Sequence, residues 1–233
     1  MSRWNRRRRR NWNWMLVAPL VTAALVVGVQ TGFSGDDMSD AKGGGRACSC
    51  MGKSPNGKAV ELRLAERKLW SDHVVYTREY VAAALAGSPD ADATAERLMK
   101  NQEDLGDAIA PYYGATAART LTGLLKEHIK IATDVVNAAK CGDDAALSAA
   151  QAAWKQNAHE IAAFLSEANP EWKKDMVSDM LEEHLKLTTR EATLRLSKDW
   201  KGDVANFDKI HEQALEMADT FAEGIAKNCP TKF

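Results

Sequence analysis

Three histidines recur in similar company along a chain of 233 residues. His184 stands in Met180-Leu181-Glu182-Glu183-His184-Leu185-Lys186-Leu187, and His128 in Leu124-Leu125-Lys126-Glu127-His128-Ile129-Lys130-Ile131. A looser version surrounds His73, in Leu69-Trp70-Ser71-Asp72-His73-Val74-Val75. The three lie 55 and 56 residues apart, and apolar neighbours at helical spacing put each on a stripe that a helix buries. A buried imidazole needs a partner for each ring nitrogen, because an unpaired polar group costs about 1–3 kcal/mol. Imidazoles and carboxylates facing one another inside a helical bundle are the donor set of a transition-metal or small-ligand site.

Carboxylates are available at matching places. Asn101-Gln102-Glu103-Asp104-Leu105 resembles Asn157-Ala158-His159-Glu160-Ile161, with Lys209-Ile210-His211-Glu212-Gln213 in a comparable position. The expected site is therefore His73, His128 and His184 with Asp104, Glu160 and Glu212. Glu191, two turns beyond His184, lies on the same face. Neither the Glu-x-x-His pair of di-iron bundles nor the His-Glu-x-x-His zinc motif is present. The same residues also make sense as a purely structural network, since polar groups buried between helices bond one another.

The elements that must position these side chains all read as helices. Val60, Leu64, Trp70, Val74, Val81 and Leu85 trace a first helix, ended by Gly87-Ser88-Pro89. A second runs from about Asp92 to Ala110 and stops near Pro111 and Gly114. A third, from about Thr116 to Lys140, ends at Gly142, which suits a left-handed C-terminal turn. A fourth, capped by Asp143 or Asp144, ends at Asn169, and Pro170 is expected to open a fifth. A break at Trp200-Lys201-Gly202 precedes a sixth, about Asp203 to Lys227. No segment alternates with the two-residue period of a strand. The expected fold is all-α: a six-helix antiparallel bundle of three helical hairpins, an internal repeat of about 55 residues by the histidine spacing.

The N-terminal quarter reads differently. Arg3 and the run Arg6 to Arg10 make a basic cytoplasmic arm, residues 1–14. The uncharged run Met15 to Val29, extended to Phe33, makes residues 15–33 a signal anchor. Residues 34–57 are Gly-, Ser- and Asp-rich and read as a flexible linker, leaving residues 58–233 as the folded bundle. This predicts a single-pass protein of the cell membrane whose C-terminal domain is extracytoplasmic, periplasmic or extracellular. The N-terminal helix is its membrane partner. With the arginines set aside the remainder is mildly acidic, which argues against nucleic-acid binding by the bundle.

Other chemistry is absent from the pattern. There is no Gly-rich phosphate loop after a strand and no Gly-x-Ser-x-Gly elbow, so the reading is a binding protein or a structural or protein-interaction module rather than an enzyme. A metalloenzyme using the histidine set is a third reading. In up-and-down order the last helix ends where the first begins, so Cys229 is expected near Cys48 or Cys50, with Cys141 at the opposite end. The Cys48-Ser49-Cys50 pair is also a candidate for a soft metal such as Cu(I).

From Leu69 onward the chain resembles a group of small exported bacterial helical proteins. The matching stretches are Trp70-Ser71-Asp72-His73-Val74 with Thr77-Arg78, Pro111-Tyr112-Tyr113-Gly114, and Glu160 to Leu165 running into Asn169-Pro170. They continue with His184-Leu185-Lys186-Leu187-Thr188 and Glu212-Gln213-Ala214-Leu215. The resemblance implies an exported helical bundle with no established role. Some of that group carry titles such as acetylglutamate kinase or glycosyltransferase. Those titles imply α/β folds with nucleotide sites, and this sequence has the pattern of neither.

Overall fold

The structure, a computed structural model, describes residues 57–233. The basic arm, the signal anchor and the linker with Cys48 and Cys50 lie outside the described residues, except Gly57, which opens the first helix. Five α-helices and one terminal turn make up the described part: α1 (Gly57–Ala86), α2 (Ala91–Cys141), α3 (Asp144–Ala168), α4 (Lys174–Leu196), α5 (Trp200–Asn228) and a 3₁₀ turn at Pro230–Lys232. There is no strand among the described residues. None of these helices is long and apolar enough to cross a membrane.

The count is five, not the expected six, because the second and third segments form one element. Gly114 inside α2 takes φ 84° and ψ 166°, a conformation open to glycine and not to L side chains, and it breaks the helix into two arms. Twenty-three residues of straight helix would span about 34 Å. Instead Lys126 Nζ reaches Glu103 Oε1 at 2.6 Å, and Gly106 packs directly against Ala118 and Thr122. The chain therefore reverses at Gly114, and the two arms lie side by side as the hairpin pattern requires.

Other boundaries follow from local hydrogen bonding. Asp143 caps α3 by accepting from the Ala146 N–H at 2.9 Å. Gly142, in the left-handed region, closes the second arm of α2. Pro170 does not open a helix. Asn169 accepts from the Glu171 N–H, so the chain turns there, and Trp172 is buried before α4 begins at Lys174. At the other end of α4, Asp199 accepts from the Gly202 N–H and starts α5 at Trp200, three residues earlier than the composition suggests.

The helices form a closed ring in which each packs on its chain neighbour and α5 returns to α1. Pairs along the α1–α5 seam run in opposite directions. Lys58 bonds the Lys232 carbonyl, Arg63 and Arg67 clamp Asp219, Ser71 meets His211, and Arg78 meets Asp203. The two helices are therefore antiparallel, and Cys229 stands at the end where α1 begins. Cys141 lies just before the turn that leads into α3. The core runs down the axis, from Leu62 and Trp172 at one end to Val81 and Val136 at the other.

Replacing Gly114 by Ala forces a methyl-bearing residue into this backbone conformation. Thermal unfolding of Gly114→Ala is expected to show a loss of about 1–3 kcal/mol, with the helical circular-dichroism signal retained. A loss below about 0.5 kcal/mol would mean that the reversal does not depend on glycine.

Candidate functional site

Each histidine occupies an inward position on its helix, His73 on α1, His128 on the second arm of α2 and His184 on α4, and each is only 3–4% exposed. Helical phase brings them together. The His73 and His184 rings are 5.6 Å apart between centroids, and all three line one cavity of about 20 Å³ with Thr77, Thr188 and Trp154.

The side chains that hold them are carboxamides. His73 Nδ1 lies 3.3 Å from Asn101 Oδ1, His128 Nδ1 2.8 Å from Asn157 Oδ1, and His184 Nδ1 3.2 Å from Gln213 Oε1. The amide nitrogen of each partner in turn donates to a backbone carbonyl one helical turn before its histidine. These bonds are Asn101 to Leu69 at 3.0 Å, Asn157 to Leu124 at 3.2 Å and Gln213 to Met180 at 3.0 Å. That second bond fixes the amide orientation. With the amide nitrogen committed as a donor, its oxygen is the acceptor, which assigns the ring hydrogen to Nδ1. At His73 the Gln102 amide nitrogen also lies 3.2 Å from Nδ1, and the assignment holds there because the two Gln102 hydrogens go to the Leu98 carbonyl at 2.8 Å and to Asn101 Oδ1 at 3.1 Å. Nε2 then keeps the lone pair in every neutral ring and takes part in none of these bonds.

Burial keeps the rings neutral. Loss of hydration pushes the His73 and His128 pKa values down to about 3, helped by the charge each ring would feel from its neighbours, and burial lowers His184 as well. Trp154 packs on His128 at 5.2 Å between ring centroids, and its buried indole N–H has no partner among the described residues. Thr77 and Thr188 turn their hydroxyls back onto the His73 and His184 carbonyls, at 2.7 and 2.9 Å.

The three expected carboxylates are not brought to the histidines. Asp104 faces the rim and pairs with Lys100 at 3.1 Å, Glu160 is exposed and accepts from Gln156, and Glu212 is exposed. The residues found in their place are Asn101 and Asn157, three positions before Asp104 and Glu160, and Gln213, one position after Glu212. The signal that finds them is spacing: Asn101, Asn157 and Gln213 are 56 residues apart and each lies 28 or 29 residues after its histidine. Glu191 does not join the cavity either. It is buried and bonds Arg78 at 2.5 Å, while Arg78 and Arg195 share Asp203. Burial outweighs the Arg78 charge and pushes the Glu191 carboxyl up to about 7.

Among the described residues, no group of three or more His, Cys, Asp or Glu side chains could hold a metal ion as it stands. What the arrangement offers is three neutral imidazoles lining a cavity large enough for one water, which needs about 10–15 Å³. Comparison with protein-family models, with curated proteins and with solved structures returned no match.

Two outcomes follow. Asn157→Ala strips the His128 ring of its partner and should cost about 1–3 kcal/mol of unfolding free energy, whereas Glu160→Ala should cost less than about 0.5 kcal/mol. Equal effects would contradict the assignment of the carboxamides. The histidines also set an acid limit. Their folded pKa values lie below the unfolded value, so the unfolded chain binds protons first. Their contribution is complete above about pH 6.5 and is lost as the pH falls from there toward 3, measurable as the pH dependence of the urea midpoint.

Proposed function

We propose that the chain is a membrane-anchored, extracytoplasmic binding protein whose three-histidine centre takes up one first-row transition-metal ion. The observation that supports this reading is the pairing of the rings: Nδ1 of each is tied to a carboxamide, which leaves Nε2 free as a donor atom on three histidines that line one cavity. Ligating histidines in metal sites are held in this manner, through their other nitrogen. Three imidazoles would leave a fourth position on the ion open. An inward rotation of the rings about their fixed Nδ1 bonds would close the ligand set. The apolar run at 15–33 supports the anchor, and the arginines before it support the outward placement of the bundle.

A second reading is favoured by the completeness of the carboxamide links. Each runs from histidine to amide to backbone carbonyl without any added ligand, as a structural module would require.

Metal analysis of the full chain, loaded with Zn²⁺, Co²⁺ or Cu²⁺ and then desalted, separates the two. One equivalent of metal, the visible Co²⁺ bands of a low-coordinate site, and loss of both in His128→Ala and in His184→Ala are expected. Because the rings are already neutral, the ion should be retained at pH 5, where ordinary histidine sites release it. No bound metal under any loading condition, with these substitutions only lowering the melting temperature, would establish the structural reading. Protease added to intact spheroplasts should digest the bundle, and protection would overturn the outward placement.

A further inference from the structure

Toward the end of the bundle where α1 begins, Glu66 poses a separate problem. It lies on the same face of α1 as Trp70 and His73, is 3% exposed, and its Oε1 has no partner among the described residues. The chamber that it shares is about 30 Å³ and is walled by the aromatic rings of Trp70, Trp172 and Phe221 with Leu125, Ile161 and Leu181; the Trp172 indole N–H, also without a partner among the described residues, is the one other buried unpaired polar group on this lining. Every helix contributes at least one lining residue, so the chamber belongs to the bundle axis rather than to a surface crease.

No lining side chain is basic. The arginines nearest on α1, Arg63 and Arg67, are turned outward onto Asp219. The titratable groups close to Glu66 are Tyr112, whose pKa is raised by burial and then by the Glu66 charge, and beyond it Cys229. Neither can be positive in any protonation state. The facing residues of α3, α4 and α5 (Ile161, Leu165, Leu181, Phe221 and Ile225) are apolar. A buried carboxylate is ordinarily paired, because an uncompensated charge in an apolar interior is costly. Here the fold supplies the carboxylate and withholds the cation.

We propose that this chamber binds a small organic cation of the methylammonium class, its ammonium paired with Glu66 and its methyl against the aromatic walls. Three features fix the class. The unpartnered oxygen calls for a hydrogen-bond donor with positive charge. The Trp70, Trp172 and Phe221 rings favour a cation that is weakly hydrated. The volume admits a head group of two or so heavy atoms and excludes a long chain, given that one water needs about 10–15 Å³. The site does not depend on the histidine centre and stands whether or not that centre binds metal.

Proton and cation compete for the same oxygen. Burial raises the Glu66 pKa to about 7, above its unfolded value, so its contribution to stability is present at low pH and lost as the pH rises through 7. Methylammonium should restore what is lost.

The test is thermal unfolding of the full chain at pH 8 and at pH 5.5, titrated with methylammonium chloride against KCl at equal ionic strength. A saturable rise is expected at pH 8, about 3–6 °C at ten times the dissociation constant, and a smaller one at pH 5.5. Glu66→Gln should fold, lose the alkaline destabilisation and lose the methylammonium response. Calorimetry in two buffers at pH 7 should show proton release on binding, and ¹³C-methylammonium should give Overhauser contacts to indole protons in the wild type only. No saturable response beyond KCl, which would mean a chamber that holds only water, overturns the proposal. An equal response in Glu66→Gln, or contacts that persist there, overturns it as well.

Discussion

The interior of this bundle depends on how buried ring nitrogens are paired. An imidazole at 3–4% exposure must place its N–H on an acceptor, and each of the three does so through a carboxamide that is itself anchored on a backbone carbonyl. The link spans two helices and touches three residues. Because the anchoring carbonyl lies one turn before the histidine, the amide sits over a defined turn of the facing helix. A slip of one residue rotates that amide by about 100° and breaks both bonds at once. Apolar packing tolerates such slips more readily, so the polar links fix the register that hydrophobic burial leaves loose.

The link occurs three times, joining α1 to the first arm of α2, the second arm of α2 to α3, and α4 to α5. The three links recur at matching spacing along the chain, and the three rings that they hold line one cavity. The surroundings of the three links differ. Thr77 and Thr188 follow two of the histidines by four residues, and Ala132 follows the third. One unit uses glutamine where the others use asparagine. The Arg78–Glu191–Asp203–Arg195 network has no counterpart described in the other two units, so it marks one seam, where α1, α4 and α5 converge.

Charge is distributed along the axis in an ordered way. At one end, two arginines balance Glu191 and Asp203. In the middle, three rings are kept neutral by burial. At the other end, Glu66 is alone. Desolvation is the dominant cause of every large shift in this interior, lowering the histidines and raising both glutamates. The two glutamates differ in what opposes it, since Arg78 stands beside Glu191 and no cation among the described residues stands beside Glu66.

Sequence alone determined that the described chain is helical, and that His73, His128 and His184 are buried, because the 3.6-residue period of apolar side chains is a local property. It also carried the 55- and 56-residue spacing of the histidines that line one cavity. It did not reveal that Gly114 joins two segments into one kinked element, or that Asn169 and Trp172 delay α4 past Pro170, since both depend on where the chain must go next. The polar partners were decided only by tertiary structure. Asp104 is three residues from Asn101, about 60° away around the helix, and that angle separates the rim from the core. The nearer residue is an amide, which is less costly to bury than a carboxylate. Whether a side chain at such an angle meets a neighbour depends on the rotation of two packed helices about their axes. That rotation is set by the whole core, and it leaves Glu66 in the axis with no cation opposite.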